Sequence, residues 1–274
     1  MRSQNADGRH LSHLELGDPG ADPLVLISGA GSTKEGWGEL AAALAERFRV
    51  ICFDAPGLGG SAPAPGGLDL ATLADDVAAL LDRLGITTTH VLGWSFGSAV
   101  AQHFAVRHPT RLRALVLWST WARTDGYLRA TFTGLRFPFA QGDLDTAVVV
   151  LGAVFSPELL DAPEYPLLVE QLRPSLPRTA AEVTATVQQW DRALDHDLTD
   201  VLPGIDAPVL VVAGDQDTLA PPRYGRQVAE LVRDGRFELF EGPGASHALG
   251  LERMPEFVSL VREFLARHAL PAPA

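Results

Sequence analysis

The 274 residues are 46% hydrophobic and 20% charged, enough for a full-sized core in one large domain or two small ones. A formal charge of −12, with no cluster of basic residues opposing it, excludes nucleic acid and anionic membranes as partners. No run approaches the ~18 apolar residues of a membrane helix, and residues 1–16 lack the basic-then-apolar pattern of a signal peptide, so the chain reads as soluble and cytoplasmic. One cysteine, Cys52, leaves no intrachain disulfide and no thiolate metal site; its apolar flanks make it a buried filler.

The chain opens with a hairpin pattern, Ala6-Asp7-Gly8 as the turn and alternation from 10 to 16. Residues 23–27 form a short apolar run ending in Ser28-Gly29-Ala30-Gly31-Ser32, the mark of a buried, parallel strand. Helical spacing follows at 40–48 and a strand at 49–53. Residues 71–84 are an amphipathic helix, with Leu73, Val77, Leu80, Leu81 and Leu84 on one face. A strand at 90–92, a helix from beyond Gly93 to about 108 and a strand at 114–118 continue the alternation. Parallel neighbours require helical crossovers, so this rhythm predicts a doubly wound, mostly parallel α/β sheet. After Trp118 the rhythm breaks: residues 121–203 show helical patterns, at 144–151 and 180–194 among others, punctuated by prolines and without a strand. Strands resume at 208–213 and 236–240, and a helix at 255–268 precedes the tail Pro271-Ala272-Pro273-Ala274. The expected organisation is a core of 1–120 and 204–274, with 121–203 as a helical cap over the sheet's carboxyl edge.

Gly93-Trp94-Ser95-Phe96-Gly97 lies directly between a strand and a helix. A serine hydroxyl is a weak nucleophile and must stand exposed where a base can reach it. A sharp strand-to-helix turn does this, and small residues two positions either side let it close. The other use of a serine at such a junction is as a helix cap. A nucleophile also needs oxyanion donors: the N–H of Phe96, at a helix N-terminus, and that of Ala30 in the glycine-rich loop are the candidates. Gly214-Asp215-Gln216-Asp217 and Gly242-Pro243-Gly244-Ala245-Ser246-His247 each follow a strand, where α/β sheets build their sites. The chain order Ser, Asp, His is the one this architecture uses.

With these loops, and with the turn Asp54-Ala55-Pro56-Gly57-Leu58-Gly59-Gly60-Ser61 and the Glu252 and Pro255 that trail the histidine, the chain resembles an α/β-hydrolase over nearly its whole length. The resemblance implies Ser95 as nucleophile, His247 as base and Asp217 as the orienting acid, Asp215 being the alternative, with no metal or organic cofactor. One departure stands out: Ser28-Gly29 occupies the place where the family usually has His-Gly. A serine nucleophile argues against the carboxylate-dependent dehalogenase and epoxide-hydrolase branches. The expected reaction is hydrolysis of a small, hydrophobic carboxylic ester or lactone through an acyl-enzyme, by a monomer or homodimer. Carbon–carbon bond hydrolysis of diketone-like substrates, acyl transfer or cyclisation, and a ligand sensor without chemistry are the alternatives. The candidate pocket residues are Trp94, Trp121, Phe132 and Phe137, from an aromatic set that also includes Trp118, Tyr127, Phe139, Phe155 and Trp190.

Overall fold

A computed structural model describes residues 3–4, 10–64 and 66–269. Its strands are β1 (Ser3–Gln4), β2 (His10–Leu11), β3 (His13–Leu16), β4 (Pro23–Ile27), β5 (Arg49–Phe53), β6 (Thr89–Trp94), β7 (Leu112–Trp118), β8 (Val209–Gly214) and β9 (Gly235–Phe240). β1 pairs antiparallel with β2, while the turn expected at residues 6–8 and the tail from 271 lie outside the described residues. The other seven form one sheet in the order β3-β5-β4-β6-β7-β8-β9, antiparallel only between β3 and β5.

The crossovers are α1 (Gly38–Ala45), α2 (Leu70–Arg83) and α3 (Phe96–Arg107). Between β7 and β8 come α4 (Gly126–Gln141), α5 (Leu144–Leu151), α6 (Pro157–Leu160), α7 (Tyr165–Leu172) and α8 (Ala180–Asp195). After β8 the chain forms α9 (Pro222–Leu231), α10 (Leu249–Glu252) and α11 (Met254–Ala266). Each has a local reason. Asp69 caps α2 by accepting the Thr72 N–H, and Thr179 with Glu182 makes a reciprocal capping box on α8. α9, which the sequence does not delimit, begins at Pro222, a first-turn position where a missing N–H costs nothing.

Strand alternation distributes the core over both faces of the sheet. Val25, Ile27, Ile51 and Val91 pack with Leu73 and Val77 of α2 and Val100 and Phe104 of α3. Leu24, Leu26, Val50 and Leu92 pack on the opposite face with Leu40 and Leu44 of α1 and Phe257 and Val261 of α11. Cys52 belongs to this second layer, fully buried, and burial pushes its thiol up to about 12. At the end of β5, the fully buried Asp54 accepts the backbone N–H of Lys34 (2.8 Å), the Lys34 ammonium (2.7 Å) and the N–H of Gly60 (2.9 Å). Burial pulls the Lys34 ammonium down, but Asp54 and Glu35 outweigh it and hold its pKa above the usual lysine value.

Within 121–203 no strand forms among the described residues. Its two ends meet instead: Arg123 and Asp197 form an isolated bridge, Thr124 N–H donates to His196 O (3.0 Å), and Leu198 N–H donates to Ala122 O (2.9 Å). Among the described residues no helix is long and apolar enough to cross a membrane.

Candidate active site

Ser95 sits between β6 and α3 with φ 54° and ψ −120°, a backbone conformation that L-residues rarely adopt. The two glycines of the motif are steric requirements. A Cβ on Gly93 would lie 2.7 Å from Ser98 Cα, and one on Gly97 would overlap the Ile27 carbonyl at the end of β4. The turn is held by its own backbone: Ser95 N–H donates to Trp118 O (2.9 Å), and Ser98 Oγ donates to Ser95 O (2.6 Å). Ser95 makes no side-chain capping hydrogen bond to α3, so its hydroxyl is not spent as a helix cap.

The acid and the imidazole arrive from the next loops along the sheet's carboxyl edge. His247 Nδ1 lies 3.0 and 2.9 Å from the two oxygens of Asp217, and both side chains are almost wholly buried. Asp217 Oδ1 also accepts the N–H groups of Leu219 (3.0 Å) and Ala220 (2.8 Å), which fixes the carboxylate before it meets the ring. With Nδ1 donating to Asp217, Nε2 keeps its lone pair. Asp215 is turned away: its carboxylate accepts the N–H of Gly242 on the surface. Trp94 completes the support, its indole N–H donating to the His247 carbonyl (3.1 Å) while its ring stacks on Trp118 with centroids 4.9 Å apart.

Ser95 and His247 open on one cavity of about 110 Å³, shared with Ala30 and Trp94. Among the described residues the imidazole's hydrogen bonds run to Asp217 alone; the hydroxyl of Ser95 and the imidazole share the cavity without one between them. Phe96 begins α3, so its amide stands outside the helix's own ladder. The glycine-rich loop is anchored from the far side of the cavity, where Gly31 N–H donates to the buried Gln189 of α8 at 2.7 Å. That contact spans 158 positions, and no local signal announces it. The Ser28 hydroxyl, at the place of the missing histidine, is buried without a protein partner among the described residues.

Only one of the four aromatic pocket candidates reaches the cavity. Trp94 lines it, whereas Trp121 and Phe132 are buried elsewhere, packed edge to face at 4.9 Å, with the Trp121 N–H on Thr124 Oγ1 (3.0 Å). These rings fill the contact between α4 and α8, while Phe137 points outward at 61% exposure. The cavity takes Phe155 and Trp190 instead, and Tyr165, which no sequence pattern singles out. The remaining buried histidines serve packing. His196 sits against Trp121 and His103, and burial lowers its pKa to about 3; His90 is lowered to about 4 for the same reason.

The sequence pattern of the α/β hydrolase fold family matches residues 22–249, and the chain belongs to that family. It is an enzyme of the hydrolase class. A pimeloyl-(acyl-carrier protein) methyl ester esterase of Neisseria meningitidis is 30% identical over 248 residues, 88% of this chain and 93% of that protein. Among solved structures, a hydrolase from Pseudomonas aeruginosa is 31% identical with a TM-score of 0.84, covering 97% of each chain. The enol-lactonase from Burkholderia xenovorans is 27% identical with a TM-score of 0.84, covering 97% of this chain and 100% of its own.

Proposed function

We propose that this hydrolase cleaves a small, uncharged, largely apolar carboxylic ester or lactone through an acyl-enzyme on Ser95. One observation carries the reading: a serine held at positive φ opens, beside an imidazole already tied to a buried carboxylate, on a cavity lined, among the described residues, by no Asp, Glu, Lys or Arg. An ionised substrate would lose its hydration there without a counter-charge. The similarity to an ester hydrolase and to a lactonase supports the same class.

In this mechanism Ser95 Oγ attacks the carbonyl carbon as His247 Nε2 takes its proton, and Asp217 holds the ring in the tautomer that makes Nε2 the acceptor. Closure of the Ser95–His247 hydrogen bond accompanies substrate binding, since such bonds are often long in unliganded sites. The N–H groups of Ala30 and Phe96 receive the oxyanion. The imidazolium then gives its proton to the departing alkoxide, and water, deprotonated by the same ring, releases the acid and restores Ser95. Residues 121–203 act as a cap that excludes water from these steps.

Labelling with a fluorophosphonate and turnover of short aryl esters test the reading together. Both are expected in the native enzyme and neither in Ser95→Ala. A chain that binds hydrophobic ligands but never takes the label is a sensor, and one that cleaves diketones but no ester is a carbon–carbon bond hydrolase; either result refutes the proposal.

A further inference from the structure

The loop that carries His247 is gripped on both sides of the residue. Ser246 is fully buried, and its hydroxyl donates to Glu252 Oε1 at 2.5 Å. Ala248 N–H is shared between Ser246 Oγ (3.0 Å) and the carbonyl of Val154 (2.9 Å). Glu252 also reaches into the segment between β7 and β8. Its Oε1 accepts the backbone N–H of Ser156 at 3.0 Å, and its Oε2 accepts the Ser156 hydroxyl, in a residue only 1% exposed. Val154 and its neighbours form one wall of the cavity. A single carboxylate therefore joins a cavity wall to the loop that presents the imidazole. A second tie runs in parallel from the acid loop, where Gln216, next to Asp217, donates to Glu158 at 3.1 Å.

We propose that Glu252 is a positioning residue that couples closure of the cap segment to the orientation of the His247 imidazole, an inference that rests on the reading of His247 as the base. Three donors converge on this side chain, and an ionised carboxylate is acceptor-only, with lone pairs for all of them. When the segment around Ser156 lifts, Glu252 loses two of its three donors and Ala248 loses the Val154 carbonyl. The histidine loop then keeps the Trp94 bond to the His247 carbonyl, the Gln216 N–H on the Ala245 carbonyl and the Asp217 pairing with the ring, but loses its ties to Val154 and Ser156. The base is thus fully oriented only while the cavity is covered, which keeps activation of Ser95 in step with exclusion of water.

The test compares the native enzyme with Glu252→Ala, Glu252→Gln, Ser156→Ala and His247→Ala. Four quantities are read: kcat and KM for an aryl ester, the second-order rate of fluorophosphonate labelling, and the melting temperature. Misplacement of a catalytic group by about an ångström costs on the order of 100-fold, so Glu252→Ala is expected to lower kcat and the labelling rate by about 10- to 100-fold with KM nearly unchanged. Ser156→Ala moves both rates in the same direction by less, and Glu252→Gln regains part of the loss, because its amide still pairs with the two hydroxyls. Native rates in both Glu252→Ala and Ser156→Ala overturn the inference, as does a loss that Gln does not regain at an unchanged melting temperature. Where Glu252→Ala does not fold, native rates in Ser156→Ala are decisive. His247→Ala separates the two readings: if it turns over normally the catalytic assignment fails, whereas if it is silent and Glu252→Ala is native-like, only the coupling fails.

Discussion

Replacing Ser95 by glycine and by alanine gives a sign test of the strained turn. Both substitutions remove the hydroxyl, so they differ only in backbone preference and one methyl group. At φ 54° and ψ −120° an L-residue carries strain of ~1–3 kcal/mol, which glycine does not. Against this, glycine's looser unfolded chain costs ~0.4–1 kcal/mol relative to alanine. The balance favours Ser95→Gly over Ser95→Ala by about 1 kcal/mol, or roughly 2–4 °C in melting temperature for a chain of this size. Thermal melts followed by circular dichroism, with urea titrations for the free-energy scale, measure the difference directly. At an unstrained position alanine is the more stable of the two. If Ser95→Ala melts above Ser95→Gly here, the turn stores no strain and the account of the elbow is wrong.

Three further outcomes follow from the same geometry. Asp217→Asn keeps an acceptor for the Leu219 and Ala220 amides but offers an N–H to the ring, forcing the wrong tautomer; kcat is expected to fall by about 10³- to 10⁴-fold in steady-state assays while the fold persists. Asp54→Ala strands two backbone donors and leaves the Lys34 ammonium with the more exposed Glu35 as its remaining carboxylate, and urea unfolding is expected to show a loss of about 3 kcal/mol. His196 has a folded pKa depressed to about 3 by burial, below the unfolded value of 6.5. The unfolded chain therefore binds a proton that the folded one refuses, so this contribution is complete above pH 6.5 and is lost as pH falls from 6.5 toward 3. By pH 5 the loss amounts to about 2 kcal/mol. Melting temperature is expected to drop more steeply between pH 7 and 5 in the native protein than in His196→Leu, and equal slopes would refute the assignment.

The sheet was legible because parallel strands buried on both faces read as uninterrupted apolar runs, as at residues 23–27 and 209–213. The loops that carry Ser95, Asp217 and His247 were legible for a related reason: each follows a strand, the first two an apolar run and the third the alternating strand at 235–240, and the alternation sends every strand's end to the same edge. What failed was helix rotation. The aromatic residues of 121–203 are visible in the sequence, but whether Phe132 faces α8 or the cavity depends on how α4 and α8 settle against each other, which periodicity does not specify. Pro138, expected to punctuate, lies inside α4 near its end, where packing of Phe139 and Leu135 outweighs the lost hydrogen bond. Gln189 on Gly31 and Glu252 on Ser156 are long-range contacts between polar residues that have no local signature.

The end of β5 has a practical corollary for anyone handling this enzyme. Its sole lysine is committed there to a buried carboxylate, and its sole cysteine lies inside the sheet as a protonated thiol. Reagents aimed at thiols thus meet a buried group, and those aimed at side-chain amines meet a single ammonium that is ion-paired and only 13% exposed. A single lysine or cysteine engineered onto an exposed helix becomes a unique handle for attaching dyes, supports or cross-linkers, with the native chemistry left untouched.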